Sequence, residues 1–265
     1  ELAELVDLRI DQRPPFILNL QDVLLTPDDP AAAATDRHEL GLIDRFDALI
    51  VCSAEDQSLL GSRDSVLVRN GCDLQLSQGY RPSSGRNILF LGPFRAPINW
   101  EGIRDFVASV YPQLEQCVPG VSLTIVGGIG AQARVADMES FQRPSIRVLD
   151  AVESVDELLA AAALSINPQP QLRGSSLKVI ESLAAGRVCV STEAGARGHG
   201  DAGFAGLVVC PQLADFAPAL SALLLDDARR HSLEQPDPQR LAEYAWQRCA
   251  EPLRALLRRV VDART

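Results

Sequence analysis

The chain has no run of about 18 uncharged apolar residues, so no segment reads as a membrane span. Its six cysteines (Cys52, Cys72, Cys117, Cys189, Cys210 and Cys249) form no CxxC pair or other metal-ligand spacing. Three histidines, His38, His199 and His231, stand far apart and suggest no zinc site. Cys52, Cys189 and Cys210 fall in strand-like apolar runs, which reads as buried free thiols of a reducing compartment. Positive charge is also short: 25 Lys and Arg against 35 Asp and Glu leave a formal net charge of −10 at pH 7. That argues against nucleic acid as the main partner and fits an acidic cytoplasmic protein. No repeat of about 20–50 residues recurs, which excludes a solenoid or propeller. The sequence starts at Glu1 with a charged, helix-like segment and no signal-peptide pattern, and reads as though it begins inside a longer chain.

What is present is a regular alternation. With 265 residues, 46% of them hydrophobic, one large or two modest domains can each bury a core. "PFILNL" (15–20), "DALIVCS" (47–53) and "SVLVRNG" (65–71) read as strands, the last ending in an Asn-Gly turn. The polar stretch 72–87 is the best linker candidate. Beyond it, strands are predicted at 87–92, 121–128, 145–150, 164–169, 188–192 and 206–210. Helices are predicted at 99–117, at 154–163 with a Ser154/Glu157 capping box, at 177–186, at 213–225 and at 237–262. Strands without internal polar alternation, separated by helices, imply a doubly wound parallel sheet whose ligands sit at the strands' carboxyl ends. Residues 85–232 hold one complete unit of this kind, whereas 1–72 hold only about three strands.

The stretch "RGSSLKVIESLAAG" (173–186) carries the most chemistry. A loop with Arg173, Ser175 and Ser176 feeds a helix that begins near Leu177, carries Lys178, and stops at Gly186. A helix start presents unpaired N–H groups and a positive dipole end, and the cations and hydroxyls beside it suit a diphosphate. Glu181 shares a face with Leu177 and Ala184, at the edge of the apolar stripe, where it could accept hydrogen bonds from sugar hydroxyls. An ordinary capped helix with an exposed glutamate explains the same residues.

The stretch resembles the donor-binding motif of retaining glycosyltransferases of the GT-B fold, family 4 (glycosyl transferases group 1), and more closely a branch reading G-S-G-T-x-L-K-V-L-E-A-L-A-A-G. Shared positions include Gly174, Leu177, Lys178, Glu181, Ala184 and Gly186, while Arg173 replaces the first acid of the family pattern. Other landmarks follow in order: "DALIVCSAED", "VLVRNGCDL" with Asn70, Gly71 and Asp73, "ILFLGPFRAPINWEGIRDFV" with Phe90, Gly92 and Asn99, "PGVSLTIVGG" and "LAAAALSINP". The resemblance implies a Rossmann-like nucleotide-sugar domain (81–232), preceded by a partial Rossmann-like acceptor-side domain (1–80) lacking its first strands. It also implies C-terminal helices (233–265) that pack back toward the latter, with Tyr244 and Trp246 as core anchors.

The activity implied is transfer of a sugar from a UDP-, GDP- or ADP-sugar to a hydroxyl of a glycan, lipid or protein, with retention and with neither metal nor cofactor. The diphosphate would meet Arg95, Arg173, Ser175, Ser176, Leu177 and Lys178, the ribose Glu181, and the base Val148, Leu149 and Asp150. Asp22 is the acceptor-side catalytic candidate; a turn or cap role fits it equally. Two departures stand out. Pro93 and Ile98 occupy positions where many relatives carry an Arg and a Lys, and Gln21 stands where the branch often has a histidine. They leave open a binding or scaffold protein without turnover. An epimerase or phosphorylase of the same fold fits the landmark order less well. Arg254, Arg258 and Arg259 make the last helix locally basic, which suits either peripheral contact with an anionic membrane or a solvated face.

Overall fold

Short runs of Val, Ile and Leu bounded by polar turns form parallel strands in the computed structural model, which describes residues 15–21, 23, 33–73, 80–171 and 174–262. The chain divides into two units, one of residues 1–71, 173–175 and 246–265, the other of residues 72–172 and 176–245.

In the first unit β1 (Ile17–Leu20), α1 (Ala33–Ile43), β2 (Ala48–Val51), α2 (Ala54–Leu59) and β3 (Ser65–Leu67) follow in order. The strands pair in parallel as β1-β2-β3, with Ile17 beside Ala48 and Leu49 beside Ser65. All of β2 is buried. Leu49 and Val51 pack with Ile43 and Leu60 on one face, and Ala48 and Ile50 with Leu256 of the last helix (Trp246–Asp262) on the other. Burial on both faces is why this strand reads as continuously apolar. Trp246 is 54% exposed and is not a core anchor, whereas Tyr244 is buried. Trp246 opens the last helix, ahead of the stripe formed by Leu253, Leu256 and Val260.

The second unit runs β4 (Asn87–Leu91), α3 (Pro97–Asp105), α4 (Tyr111–Cys117), β5 (Ser122–Val126), α5 (Ala131–Val135), β6 (Ile146–Leu149), α6 (Asp156–Ala161), β7 (Leu164–Asn167), α7 (Leu177–Ala184), β8 (Cys189–Thr192), β9 (Leu207–Cys210), α8 (Phe216–Leu225), α9 (Asp227–Glu234) and α10 (Pro238–Ala242). Its strands are all parallel, in the order β6-β5-β4-β7-β8-β9. The chain winds outward from β4 to β6, returns to β7 beside β4, and winds outward again to β9. This is a doubly wound α/β sheet, and its switch point, where ligands enter such sheets, lies between β4 and β7.

The helix predicted over 99–117 is one run from Pro97 to Cys117, with a π turn at Phe106–Val110 just ahead of Pro112. Gly102 lets α3 lie against the exit of β7: a Cβ there would sit 2.3 Å from the Pro168 carbonyl oxygen. Gly186 ends α7 as predicted, with φ +69°, and a Cβ on it would meet Tyr80 Cδ2 at 2.4 Å.

Three expectations are corrected. Ser154 accepts from the Asp156 N–H, but α6 is N-capped by Val155, so the Ser154/Glu157 capping box does not form. Residues 74–79 of the proposed linker lie outside the described residues, and Ser83 within it is buried, its N–H on Glu234 Oε2 at 2.9 Å. Helix α9 was not expected, because "DARRHSLE" lacks apolar periodicity. It buries Arg230 and Glu234 as an ion pair of 3.3 Å instead, Arg230 also donating to Ser83 Oγ and Arg187 lying 3.8 Å from the same carboxylate.

Candidate donor site

At the switch point, β7 ends on Asn167 and α7 begins after Ser176. Ser176 is the N-cap residue with extended backbone, yet its side chain makes no capping hydrogen bond. Its hydroxyl oxygen instead accepts from Asn167 Nδ2 at 3.2 Å, and its carbonyl is bonded by His199 Nε2 at 3.1 Å. A carbonyl only accepts, so Nε2 carries the hydrogen; Nδ1 faces the Tyr244 hydroxyl at 3.3 Å. The Val179 N–H turns back to the Ser176 carbonyl at 3.1 Å. The amides of Leu177 and Lys178, the first two of the helix, have no acceptor among the described residues.

Lys178 is the second residue of this helix. Its ammonium donates to Asn99 Oδ1 at 2.6 Å and to Asn167 Oδ1 at 3.3 Å, and stands 5.2 Å from the centre of the Phe90 ring. An ammonium only donates, which fixes the oxygen end of each amide. Two of its three hydrogens are thereby assigned, and no described protein group takes the third. The residue is half-buried, its ammonium being the enclosed part, and burial pushes its pKa down to about 8. Glu181 opposes that shift; Cys189, its own pKa pushed up to about 11 by burial, is a neutral thiol where the ammonium titrates and does not attract it.

Asn167, fully buried, is the hub. Besides Lys178 and Ser176 it reaches the loop after β8, donating to the Gly195 carbonyl at 2.8 Å. Gly195 fits there because it has no side chain: a Cβ would lie 2.6 Å from Asn167 Nδ2 and 2.7 Å from Ser191 Oγ. Thr192 completes the frame, its hydroxyl donating to the Gln169 carbonyl at 2.6 Å and accepting from the Gly195 N–H at 2.9 Å. Gln169 in turn donates to Asn99 Oδ1 at 3.4 Å.

One turn along α7, Glu181 is half-buried and its carboxylate accepts no hydrogen bond from the described residues. Burial raises its pKa above the ordinary carboxylate value, opposed by Lys178 and assisted by Asp156.

The structure thus groups Ser176, Leu177, Lys178 and Glu181 on one helix. Ser175, just before it, receives a hydrogen bond on its carbonyl from Asn70 at 3.2 Å. Arg95 is exposed on the loop between β4 and α3, and no bond joins it to α7. At the edge strand β6, the Val148 carbonyl accepts from Gln132 Nε2 at 3.0 Å and Asp150 Oδ1 from the Gln132 N–H at 2.9 Å, so both groups brace α5; Leu149 is half-buried beside them. Asp22 and Arg173 lie outside the described residues.

Asn99, Asn167, Gly195 and His199 were not among the expected site residues. The signal for Asn167 was a polar residue ending an apolar strand just before proline, in "LSINPQ". A cavity of about 730 Å³, lined in part by Arg187, Gly203, Glu234 and Arg240, lies at the opposite, amino-terminal edge of the sheet and shares none of these residues. Among the described residues no group of three His, Cys, Asp or Glu is arranged to hold a metal, and no helix is long and apolar enough to cross a membrane.

A family model described as glycosyl transferases group 1 matches residues 85–226, and the chain belongs to that family. No curated protein matches the sequence. Among solved structures, TarM is similar with a TM-score of 0.74 at 12% identity, covering 96% of this chain and 52% of that one. Sucrose-phosphate synthase from Thermosynechococcus elongatus gives 0.70 at 18% identity, covering 93% and 68%. HepE of Anabaena in complex with UDP and glucose gives 0.69 at 18% identity, covering 91% and 72%. At these identities the likeness is one of fold, GT-B. The chain spans about half the length of TarM.

Proposed function

We propose that the chain binds a nucleoside-diphosphate sugar at the start of α7 and transfers the sugar to a hydroxyl acceptor, with retention and without a metal. The observation that carries this reading is the pair of amides at Leu177 and Lys178 without an acceptor among the described residues, on the same helix turn as a lysine whose ammonium keeps one unassigned hydrogen. Amides, the helix dipole and a buried cation together favour an anion, and they favour a departing diphosphate more strongly as its charge develops. In this reading Arg173, Ser175 and the backbone amide of Ser176 complete the phosphate contacts, with Arg95 at the rim. The Glu181 carboxylate accepts from the ribose, and the base lies along Val148, Leu149 and Asp150. Residues 81–232 serve as the donor domain, 1–80 as the acceptor side with Asp22 as its polar candidate, and 233–265 as the closing helices. HepE was crystallised with UDP-glucose, which supports UDP-sugars as the first donors to try.

A second reading, nucleotide binding without turnover, is favoured by Pro93 and Ile98 standing where many relatives carry cations. Calorimetry with UDP-, GDP- and ADP-sugars, repeated on Lys178→Ala and Glu181→Ala, tests the site. Binding by the intact protein that both variants weaken supports it; no binding, or equal binding by both variants, rejects it. Sugar release from a bound donor then separates turnover from binding alone.

A further inference from the structure

We propose that Asn167 is a positioning residue that keeps the start of α7 open for an anion by restraining the Ser176 hydroxyl; this rests on the donor reading above. A serine at an N-cap ordinarily turns its hydroxyl onto the N–H of the second or third helical residue. Ser176 has the extended backbone for that, at φ −85° and ψ 105°, and the second residue is Lys178, whose amide has no acceptor among the described residues. The hydroxyl faces Asn167 Nδ2 instead, at 3.2 Å.

Asn167 is itself immobilised. Its Nδ2 also donates to the Gly195 carbonyl, its Oδ1 accepts from Lys178, and its backbone carbonyl accepts from Ser191 Oγ at 3.3 Å. The Ser176 carbonyl is held separately by His199. Both oxygens of Ser176 are therefore tied to β7 and to the loop after β8, and neither closes the helix end beyond the single Val179 turn. Without Asn167 the hydroxyl is free to rotate onto the Lys178 amide. The helix would then cap itself, and the group that should meet a phosphate would already be satisfied. A capped helix is no less stable, so the residue serves the ligand and not the helix.

The claim predicts a rescue that a purely structural role would not give. UDP affinity is measured by calorimetry on the wild type, Asn167→Ala, and Asn167→Ala combined with Ser176→Ala. Asn167→Ala is expected to weaken binding about tenfold, one charge-assisted hydrogen bond. Adding Ser176→Ala, which removes the competing hydroxyl, is expected to recover at least about threefold of that loss. Undiminished affinity in Asn167→Ala, or no recovery in the double variant, overturns the proposal. Asn167→Leu, which keeps the branch at Cγ but donates nothing, replaces Asn167→Ala should the latter not fold. Amide hydrogen exchange on the ligand-free wild type needs no variant: the Lys178 amide is expected to be unprotected, and protection there overturns the proposal as well. Failure of the wild type to bind any nucleotide would instead reject the donor reading, leaving the exchange result to judge Asn167.

Discussion

The ammonium of Lys178 lies 2.6 Å from Oδ1 of Asn99, a residue 79 positions earlier in the chain, and this contact joins α7 to α3 across the switch point of the sheet. Both partners are polar and sit where a doubly wound sheet takes its ligands.

Donor binding should therefore depend on pH through Lys178. Its pKa of about 8 in the free protein means that the ammonium is lost as pH rises past that value, and an anionic diphosphate favours the protonated form. UDP affinity should be level between pH 6 and 7 and fall about tenfold by pH 9, while Lys178→Met should bind weakly with no such fall. For stability the sign is the reverse. A lysine whose folded pKa lies below its unfolded value contributes stability that is present above the unfolded pKa and lost as pH falls through about 8. Removing Lys178 should thus cost less in unfolding free energy at pH 7 than at pH 10.

Glu181→Gln separates binding from folding in another way. The Glu181 pKa is raised by burial, so its contribution to stability is present below the unfolded pKa and lost as pH rises through the folded one. At pH 7 the glutamine variant should melt slightly higher than the wild type, with the gap closing as pH falls toward 4.5. Its affinity for UDP should drop about tenfold or more, from loss of a charged acceptor to the ribose. Equal affinity would remove Glu181 from the site.

Gly195→Ala should destabilise by about 1–3 kcal/mol through overpacking and weaken UDP binding at the same time. The added methyl would press on Asn167 Nδ2 and Ser191 Oγ, whose distances to it are 2.6 and 2.7 Å. Gly200→Ala, with nothing within 4 Å, is the control and should change unfolding by less than about 0.5 kcal/mol. Urea unfolding of the pair checks both.

Glu234→Ala should unfold the protein by about 3–5 kcal/mol more readily, since it removes the buried carboxylate beside Arg230 and Arg187 and leaves Arg230, among the described residues, only the exposed Asp227. UDP affinity of the folded variant should stay within about twofold of wild type, because this cluster sits at the amino-terminal edge of the sheet. A large loss of affinity would mean that the two edges are coupled.

Much of this was legible in the sequence because parallel strands buried on both faces are written as unbroken apolar runs. β4, β5, β7 and β8 could be read directly, and α7 announced itself by its stripe and by Gly186. α9 could not be read, because the sequence marks charged residues as surface and gives no sign that Arg230 and Glu234 neutralise each other inside. The Ser154 box failed because a local pattern does not fix where the backbone enters the helix. The partners of Lys178 were hidden for a related reason. Asn99 and Asn167 are 68 positions apart, and only the return of the chain from β6 to β7 brings them to one ammonium.

The most direct measurement is an NMR titration following the backbone amides of Leu177 and Lys178 as UDP is added. A phosphate accepting from those amides should shift both resonances strongly downfield and slow their exchange with water, with smaller changes at Gly195 and none at Gly200. Unmoved Leu177 and Lys178 resonances at saturating nucleotide would place the donor elsewhere and contradict the assignment of α7 as its site.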